Sequence, residues 1–396
     1  MNATELRQRL RQARKGAALS QQQAASALGI PRTAITQIEG GGRAISTLEL
    51  TRLAALYGRP PAWFMQDDAD EQDLSLALHR AAPGILDNPD IRREVDRFVA
   101  LCREGALLER LLTKPSVVLP SYPLAAPRGK HDAAVQGEWV ADQERRRLDL
   151  GRGPVFDVAE LISGQGVWAA GADLPEGVSG LFLNARDIGL AILVNAAHVR
   201  SRRRFSYAHE YAHAVMDRDR SVIVSNGGNA DDLMETRANA FAAAFLVPAE
   251  AASDWLERQK AELATVHDES EGNRRSSRAS RETTPERVAL LARHFGVSYA
   301  AALYRLRNLR HVSQHQCELL KRQEKSGRDY LELLEMNDID RPEPGPSPEL
   351  RERVARRAME AYRREVISRG RLLELGRSVG VPGETLLALA EESCAD

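Results

Sequence analysis

Cysteine is scarce and odd in number. Cys102, Cys317 and Cys394 are the only three in a chain of 396 residues. They stand far apart, which gives no disulfide framework, and no pair has the Cys-x-x-Cys spacing of a thiolate zinc site. This usage suits a reducing compartment, so a cytoplasmic location is expected. Long apolar runs are also missing. No stretch approaches the ~18 residues of a membrane span, and Met1–Lys15 holds no apolar core of an export signal, so no membrane partner is expected. Net charge is nearly absent, with 55 Lys and Arg against 56 Asp and Glu, or −1 overall. An apolar fraction of 43% and a charged fraction of 28% are ordinary for a soluble globular protein, which argues against disorder over most of the chain and against a fibrous repeat. At about 150 residues per domain the length implies two or three domains.

The balanced total hides an asymmetry. Residues 1–66 carry nine basic side chains (Arg7, Arg9, Arg11, Arg14, Lys15, Arg32, Arg43, Arg52, Arg59) and three acidic ones (Glu5, Glu39, Glu49). A basic head on an acidic body is the pattern expected where one end meets nucleic acid. The same segment reads as four short helices. Leu6, Leu10 and Ala13 space one apolar face. Ser20 with Gln23 forms a capping box for a second helix that stops at Gly29, and Pro31 opens a third that stops at Gly40-Gly41-Gly42. Ser46 with Glu49 caps a fourth, through Leu50, Leu53 and Leu56 to Gly58. Two short helices joined at a turn glycine within such a bundle make a helix-turn-helix.

Beyond an acidic break at Asp67–Glu71, residues 67–135 read as a helical connector, strongest over Asp90–Leu111, followed by a proline-rich linker at Pro115–Pro127. A central domain is expected over 136–265. In it, Glu138–Leu148 and Val155–Ile162 are helical, and Val167–Ala170, Gly180–Leu183 and Ile188–Asn195 are short apolar strand runs bounded by Gly, Pro and Asn. A helix over Arg203–Met216, a loop around Asn226–Asn229 and a helix over Asp231–Leu246 follow. Residues 266–284, rich in Ser, Arg and Glu, read as a mobile insertion. Residues 285–396 read as a helical C-terminal region, broken at Pro342–Pro346. It opens with a second helix-turn-helix-like element whose turn is Gly296, more a packing or dimerisation element than a second DNA reader.

The most specific pattern is His209-Glu210-Tyr211-Ala212-His213. Residues four apart share one face of a helix, so both imidazoles can reach one metal ion, while Glu210 stands beside it, placed to take a proton from attacking water. A catalytic zinc site of this class needs a third protein ligand and keeps its fourth position open. The later helix offers Glu235 and Asn239, four apart. Glu235 can complete a His₂Glu set and Asn239 can orient a histidine, although a Glu in a first helical turn also complements the helix dipole without any metal.

Arg203–His213 together with Glu235–Pro248 resembles the ImmA/IrrE family of metallopeptidases. Val178-Ser179-Gly180 and the strand ending at Asn195 also fit, and the likeness covers about 151–250. The resemblance implies a zincin-like, gluzincin-type domain with zinc held by His209, His213 and Glu235, and with Glu210 as the catalytic base. Tyr211 and Arg237 depart from the usual pattern, at positions that are commonly aliphatic and acidic. Family members are linked to the cutting of repressor proteins that control mobile elements or stress responses.

Leu19-Ser20-Gln21, Ala24-Ala25, Leu28-Gly29-Ile30, Ile35, Ile38–Gly41 and Leu48–Gly58 look like the XRE (Cro-like) helix-turn-helix family, over about 6–64. In that geometry the third helix enters the major groove. Arg32, Thr33, Thr36 and Gln37 then fall at or near base edges, Gln21 falls close to phosphate, and Arg11, Arg14, Lys15 and Arg43 face the backbone.

Together these features lead to a mostly α protein with a small α+β domain. They place an N-terminal helix-turn-helix bundle over 1–66, a central zincin-like metallopeptidase with a small antiparallel or mixed sheet, and a helical C-terminal region. The expected partners are double-stranded operator DNA, bound as a homodimer, and a protein substrate or partner repressor; the expected cofactor is Zn²⁺. The expected function is a transcriptional regulator whose endopeptidase cuts itself, near Pro115–Pro127, or a partner repressor. Gly180–Leu183 is expected to serve as the substrate-binding strand edge, with Tyr207, Tyr211 and His198 as candidate oxyanion donors. Two alternatives stand beside this. The peptidase fold can be a non-catalytic sensor or dimerisation body, or the chain an antitoxin-like interaction protein.

Overall fold

The computed structural model describes residues 3–17, 19–57, 59, 61, 64, 78, 88–113, 117–226, 232–267, 283–334 and 349–392. The acidic break, Gly58, the Gly227–Asn229 loop, most of the expected insertion, Pro342–Pro346 and Cys394 lie outside them.

The head contains α1 (Ala3–Gly16), α2 (Gln21–Leu28), α3 (Arg32–Gly40) and α4 (Thr47–Leu56). Ser20–Gln23 and Ser46–Glu49 form complete capping boxes that satisfy the first amides of α2 and α4. Gly29 ends α2 at φ 68, a left-handed conformation that a side chain would strain, and so turns the chain into α3. Leu10, Ala24, Ala25, Ile35, Ile38, Leu50, Leu53 and Tyr57 close one small core. Beneath α3, Arg14 grips Glu39 through two hydrogen bonds of 2.6 and 3.0 Å. Burial pushes the Glu39 carboxyl upward, but the hydrogen bonds from Arg14 and Gln21 outweigh it and leave its pKa below the usual value.

The body follows with α5 (Pro89–Leu111), α6 (Lys130–Arg147), α7 (Val158–Gly164), β1 (Trp168–Ala172), β2 (Val178–Ala185) and β3 (Gly189–Asn195). Then come α8 (Arg200–Met216), β4 (Val222–Asn226), α9 (Leu233–Leu246), α10 (Ala249–His267), α11 (Pro285–Phe295), α12 (Tyr299–Asn308), α13 (Gln314–Arg322) and α14 (Glu324–Leu333). The chain closes with α15 (Glu349–Arg363), α16 (Arg369–Val379) and α17 (Gly383–Glu392). Helix α6 starts at Lys130 and so runs through position 136, where the sequence suggested a domain start.

The four strands form a mixed sheet in the order β1-β3-β2-β4, with β1 parallel to β3 and the other pairs antiparallel. β4 was not expected from the sequence. Strand alternation divides the core. Phe182, Ile192, Val194 and Ile223 face one side, with α6, α8, α9, α11 and α12. Leu181, Leu183, Ala191, Leu193 and Val224 face the other, with α5 and α15–α17. The C-terminal helices thus cover the second face of the sheet, and α11–α12 pack into the first. The body also meets the head. Arg59, just past α4, donates to Glu104 of α5 at 3.1 Å, and Glu104 also pairs with Arg371 of α16.

Candidate metal centre and DNA-reading face

Helix α8 lies across β2 and β3 and is buried along nearly its whole second half, so its histidines stand in the interior between the sheet and α9. His209 Nε2 is 3.0 Å from Glu235 Oε2, His213 Nε2 is 3.3 Å from His209 Nε2, and His213 Nε2 is 3.8 Å from Glu235 Oε1. The three side chains form a group that can hold a metal ion, with one donor atom of each within 4.8 Å of the others. Asn239 lies on the far side of His209, its Oδ1 3.0 Å from Nδ1. Burial works against a protonated His209, yet the hydrogen bond to Glu235 and the charges of Glu210 and Glu235 together raise its pKa above the ordinary value.

Glu210 is fully buried and neither carboxylate oxygen has a hydrogen-bond partner. Burial, with a smaller contribution from the Glu235 charge, lifts its pKa above the usual carboxylate range, against the pull of His209 and His213. The Ser225 hydroxyl on β4 is near enough to favour the ionised form but is not aligned for a hydrogen bond. Gly180 makes the room, because a Cβ there would stand 2.7 Å from Glu210 Oε1 and 3.0 Å from the Leu193 carbonyl oxygen.

One residue beside this group was missed by the sequence reading. Asp217 ends α8, and its Oδ2 is 2.8 Å from His213 Nδ1. The i,i+4 spacing from His213 was the available signal.

Three expectations change. β2 is flanked by β3 and β4, so Gly180–Leu183 is interior and cannot take an added peptide strand. Tyr207 and Tyr211 stand two positions from a histidine, about 200° around the helix, and point away from the group. Tyr211 instead donates to the buried Glu144 at 2.6 Å, beside Arg147 and Tyr122. His198 precedes the first turn of α8, at the opposite end from His213. The proline-rich segment is also no free linker over 117–127. Tyr122 N–H donates to the Val215 carbonyl at 2.8 Å, Arg218 reaches the Pro120 carbonyl at 2.7 Å, and Leu119 is buried. It is held, with Tyr211, on the side of α8 away from the histidines.

On the head, Arg32, Thr33, Thr36 and Gln37 are exposed along one face of α3, while Ala34, Ile35, Ile38 and Glu39 turn inward. Gln21 is anchored beneath that face. Its Nε2 donates to Glu39 at 2.9 Å, and its Oε1 lies 3.1 Å from the Thr36 hydroxyl. Arg43, in the turn after α3, pairs with Glu49 at 2.5 Å.

Among the described residues no helix is long and apolar enough to cross a membrane. Comparison with known proteins brings out two family models. One, described as helix-turn-helix, matches residues 10–64. The other, the IrrE N-terminal-like domain of peptidase family M78, matches residues 165–307, from the start of the sheet through α11 and α12. No curated protein matches the chain. The chain therefore joins an XRE-type helix-turn-helix domain to an IrrE N-terminal-like domain, a DNA-binding regulator that carries a peptidase-related domain.

Proposed function

We propose that the body is a zinc endopeptidase acting on a protein partner, such as a repressor, and that this couples a stress or mobile-element signal to DNA binding by the head. The observation that carries the reading is Glu210, a buried carboxylate with no partner, next to a His-His-Glu group. Two such costs in one place suit a metal site better than a structural core. His209, His213 and Glu235 are the residues that would hold the zinc, which, when bound, supplies a Lewis acid that polarises a carbonyl and lowers the pKa of water. Glu210 takes the proton at a carboxylate oxygen and returns it to the leaving amine nitrogen. Asn239 accepts from His209 Nδ1 and keeps Nε2 turned inward. Asn239→Ala is accordingly expected to weaken zinc binding by about 10- to 100-fold in competition with a chelator.

Docking of 117–127 behind α8 favours cleavage of a partner over cleavage of this segment. The test is a proteome-derived peptide library incubated with zinc-loaded protein and analysed by mass spectrometry for new termini. New termini that vanish with chelator support the reading; identical profiles with and without zinc reject it. On the head, Arg32, Thr33, Thr36 and Gln37 read bases, with Gln21 and Arg43 near phosphate, in a homodimer on a palindromic operator. Arg32→Ala is expected to cost about 1–3 kcal/mol of affinity for an operator selected from random DNA, read by fluorescence anisotropy.

Complete burial of Glu210 also favours a second reading, a sensor body that never turns over. In that case Glu210→Gln leaves regulation of the operator intact while Arg32→Ala removes it.

A further inference from the structure

Two buried charged residues at the site act neither as ligand nor as base. Asp217 is 3% exposed; one of its oxygens meets His213 Nδ1 at 2.8 Å and the other takes Nη2 of Arg237. Arg237 is 6% exposed and sits in α9 between Glu235 and Asn239, and its Nη1 lies 3.3 Å from Gln136 Oε1 on α6. The two histidines are therefore oriented through their Nδ1 atoms from different sources. His209 uses Asn239 of α9, while His213 uses Asp217 at the end of its own helix, and Asp217 is in turn fixed from α9.

We propose that Asp217 and Arg237 form a positioning pair for the metal centre. Asp217 accepts from His213 Nδ1–H and so turns Nε2 toward His209 and Glu235. Arg237 immobilises that carboxylate and ties α9, which brings Glu235, to the end of α8. A carboxylate or carbonyl behind a ligating imidazole sets its tautomer and orientation, and a charge-assisted hydrogen bond from one arginine nitrogen holds that carboxylate in place, a contact that a lysine ammonium can also make. The pair thus sets the spacing between ligands that come from two helices. Arg237, which departs from the resembled family's pattern, acquires a role that its neighbours in sequence do not suggest.

The inference rests on the zinc site proposed above, and zinc binding by the unaltered protein checks that separately. If the unaltered protein binds no zinc, that reading fails and takes this one with it. If it binds zinc, the pair is tested by chelator competition, by the visible spectrum of the Co²⁺ form and by metal-free thermal melting. Asp217→Ala and Arg237→Ala are each expected to weaken zinc by about 10- to 100-fold, the double variant by no more than the worse single one, and Arg237→Lys to recover most of the loss. Should Asp217→Ala fail to fold, Asp217→Asn, which keeps an oxygen for His213 but loses the ion pair, is expected to fall between it and the unaltered protein. The combined Asp217→Arg and Arg237→Asp exchange separates positioning from simple bracing. It restores an ion pair between the helices, and hence metal-free melting, but leaves His213 without its acceptor, so zinc affinity stays low and the cobalt spectrum stays altered. Zinc affinity that simply follows metal-free melting across the set, or an Asp217→Ala protein that binds zinc as tightly as the unaltered chain, overturns the proposal.

Discussion

Glu210→Gln is expected to lower zinc-dependent peptide hydrolysis by about 10²- to 10⁴-fold, with zinc content unchanged. The position dictates both halves. Glu210 follows His209 by one residue, about 100° around α8, so it flanks the group of donor atoms without joining it. Glutamine keeps the shape in the pocket left by Gly180 but cannot accept and return a proton. The fold gains nothing from the charge it loses, because both carboxylate oxygens are buried without partners. A charge held that way opposes folding, and such tension between stability and chemistry is common at active sites. The metal-free Glu210→Gln protein is therefore expected to melt no lower than the unaltered protein. The measurements are initial rates on a peptide found by the library screen, metal content, and melting temperature. A variant that still cleaves at the original rate removes Glu210 from the mechanism, and one that loses its zinc makes Glu210 part of the metal-holding group instead.

What the sequence discloses and what it conceals divide along a physical line. The pairing of His209 with His213, and of Glu235 with Asn239, is local arithmetic, since both pairs lie one helical turn apart. The head is legible for the same reason: capping boxes and turn glycines act within four residues. Asp217 obeys the same spacing from His213, but it falls where the helix pattern fades after Met216, so its side chain reads as loop. Arg237 is harder still, because its partner belongs to another element and only packing of α8 against α9 brings them together. β4 was overlooked because Val222-Ile223-Val224 is brief and stands between a charged turn and a glycine-rich loop. Strand order has no local signal. Neighbours in sequence suggested β2 as an accessible edge, whereas β3 and β4 enclose it. Proline content over 117–127 suggested a linker, but it does not say whether such a segment is free or docked, and burial of Leu119 and the Tyr122 hydrogen bond to Val215 decide this.

Gly137→Ala is expected to destabilise the body by about 1–3 kcal/mol, and Gly137→Leu by more, with zinc binding weakened in both. The direction is the reverse of what helix propensity gives. Gly137 lies within α6, where an alanine ordinarily stabilises by roughly 1 kcal/mol. Here α6 crosses α9 so closely that a Cβ on Gly137 would stand 2.2 Å from the Arg237 carbonyl oxygen and 2.9 Å from the Phe241 amide nitrogen. Those are backbone atoms and cannot swing aside, so one helix must move. Helix α9 carries Glu235, Arg237 and Asn239, so its displacement draws the proposed third ligand and Asn239 away from His209, and Arg237 away from the Asp217 that meets His213. Stability and metal affinity are therefore predicted to fall together, through a residue that touches no ligand. Gly164→Ala is the control, since a Cβ at that helix end meets nothing within 4 Å and should leave both quantities nearly unchanged. Urea unfolding midpoints and chelator competition on the three variants decide the matter. A Gly137→Ala protein at least as stable as the parent, with undiminished zinc affinity, would show that the crossing of α6 and α9 has slack and that the ligands are held by something other than this contact.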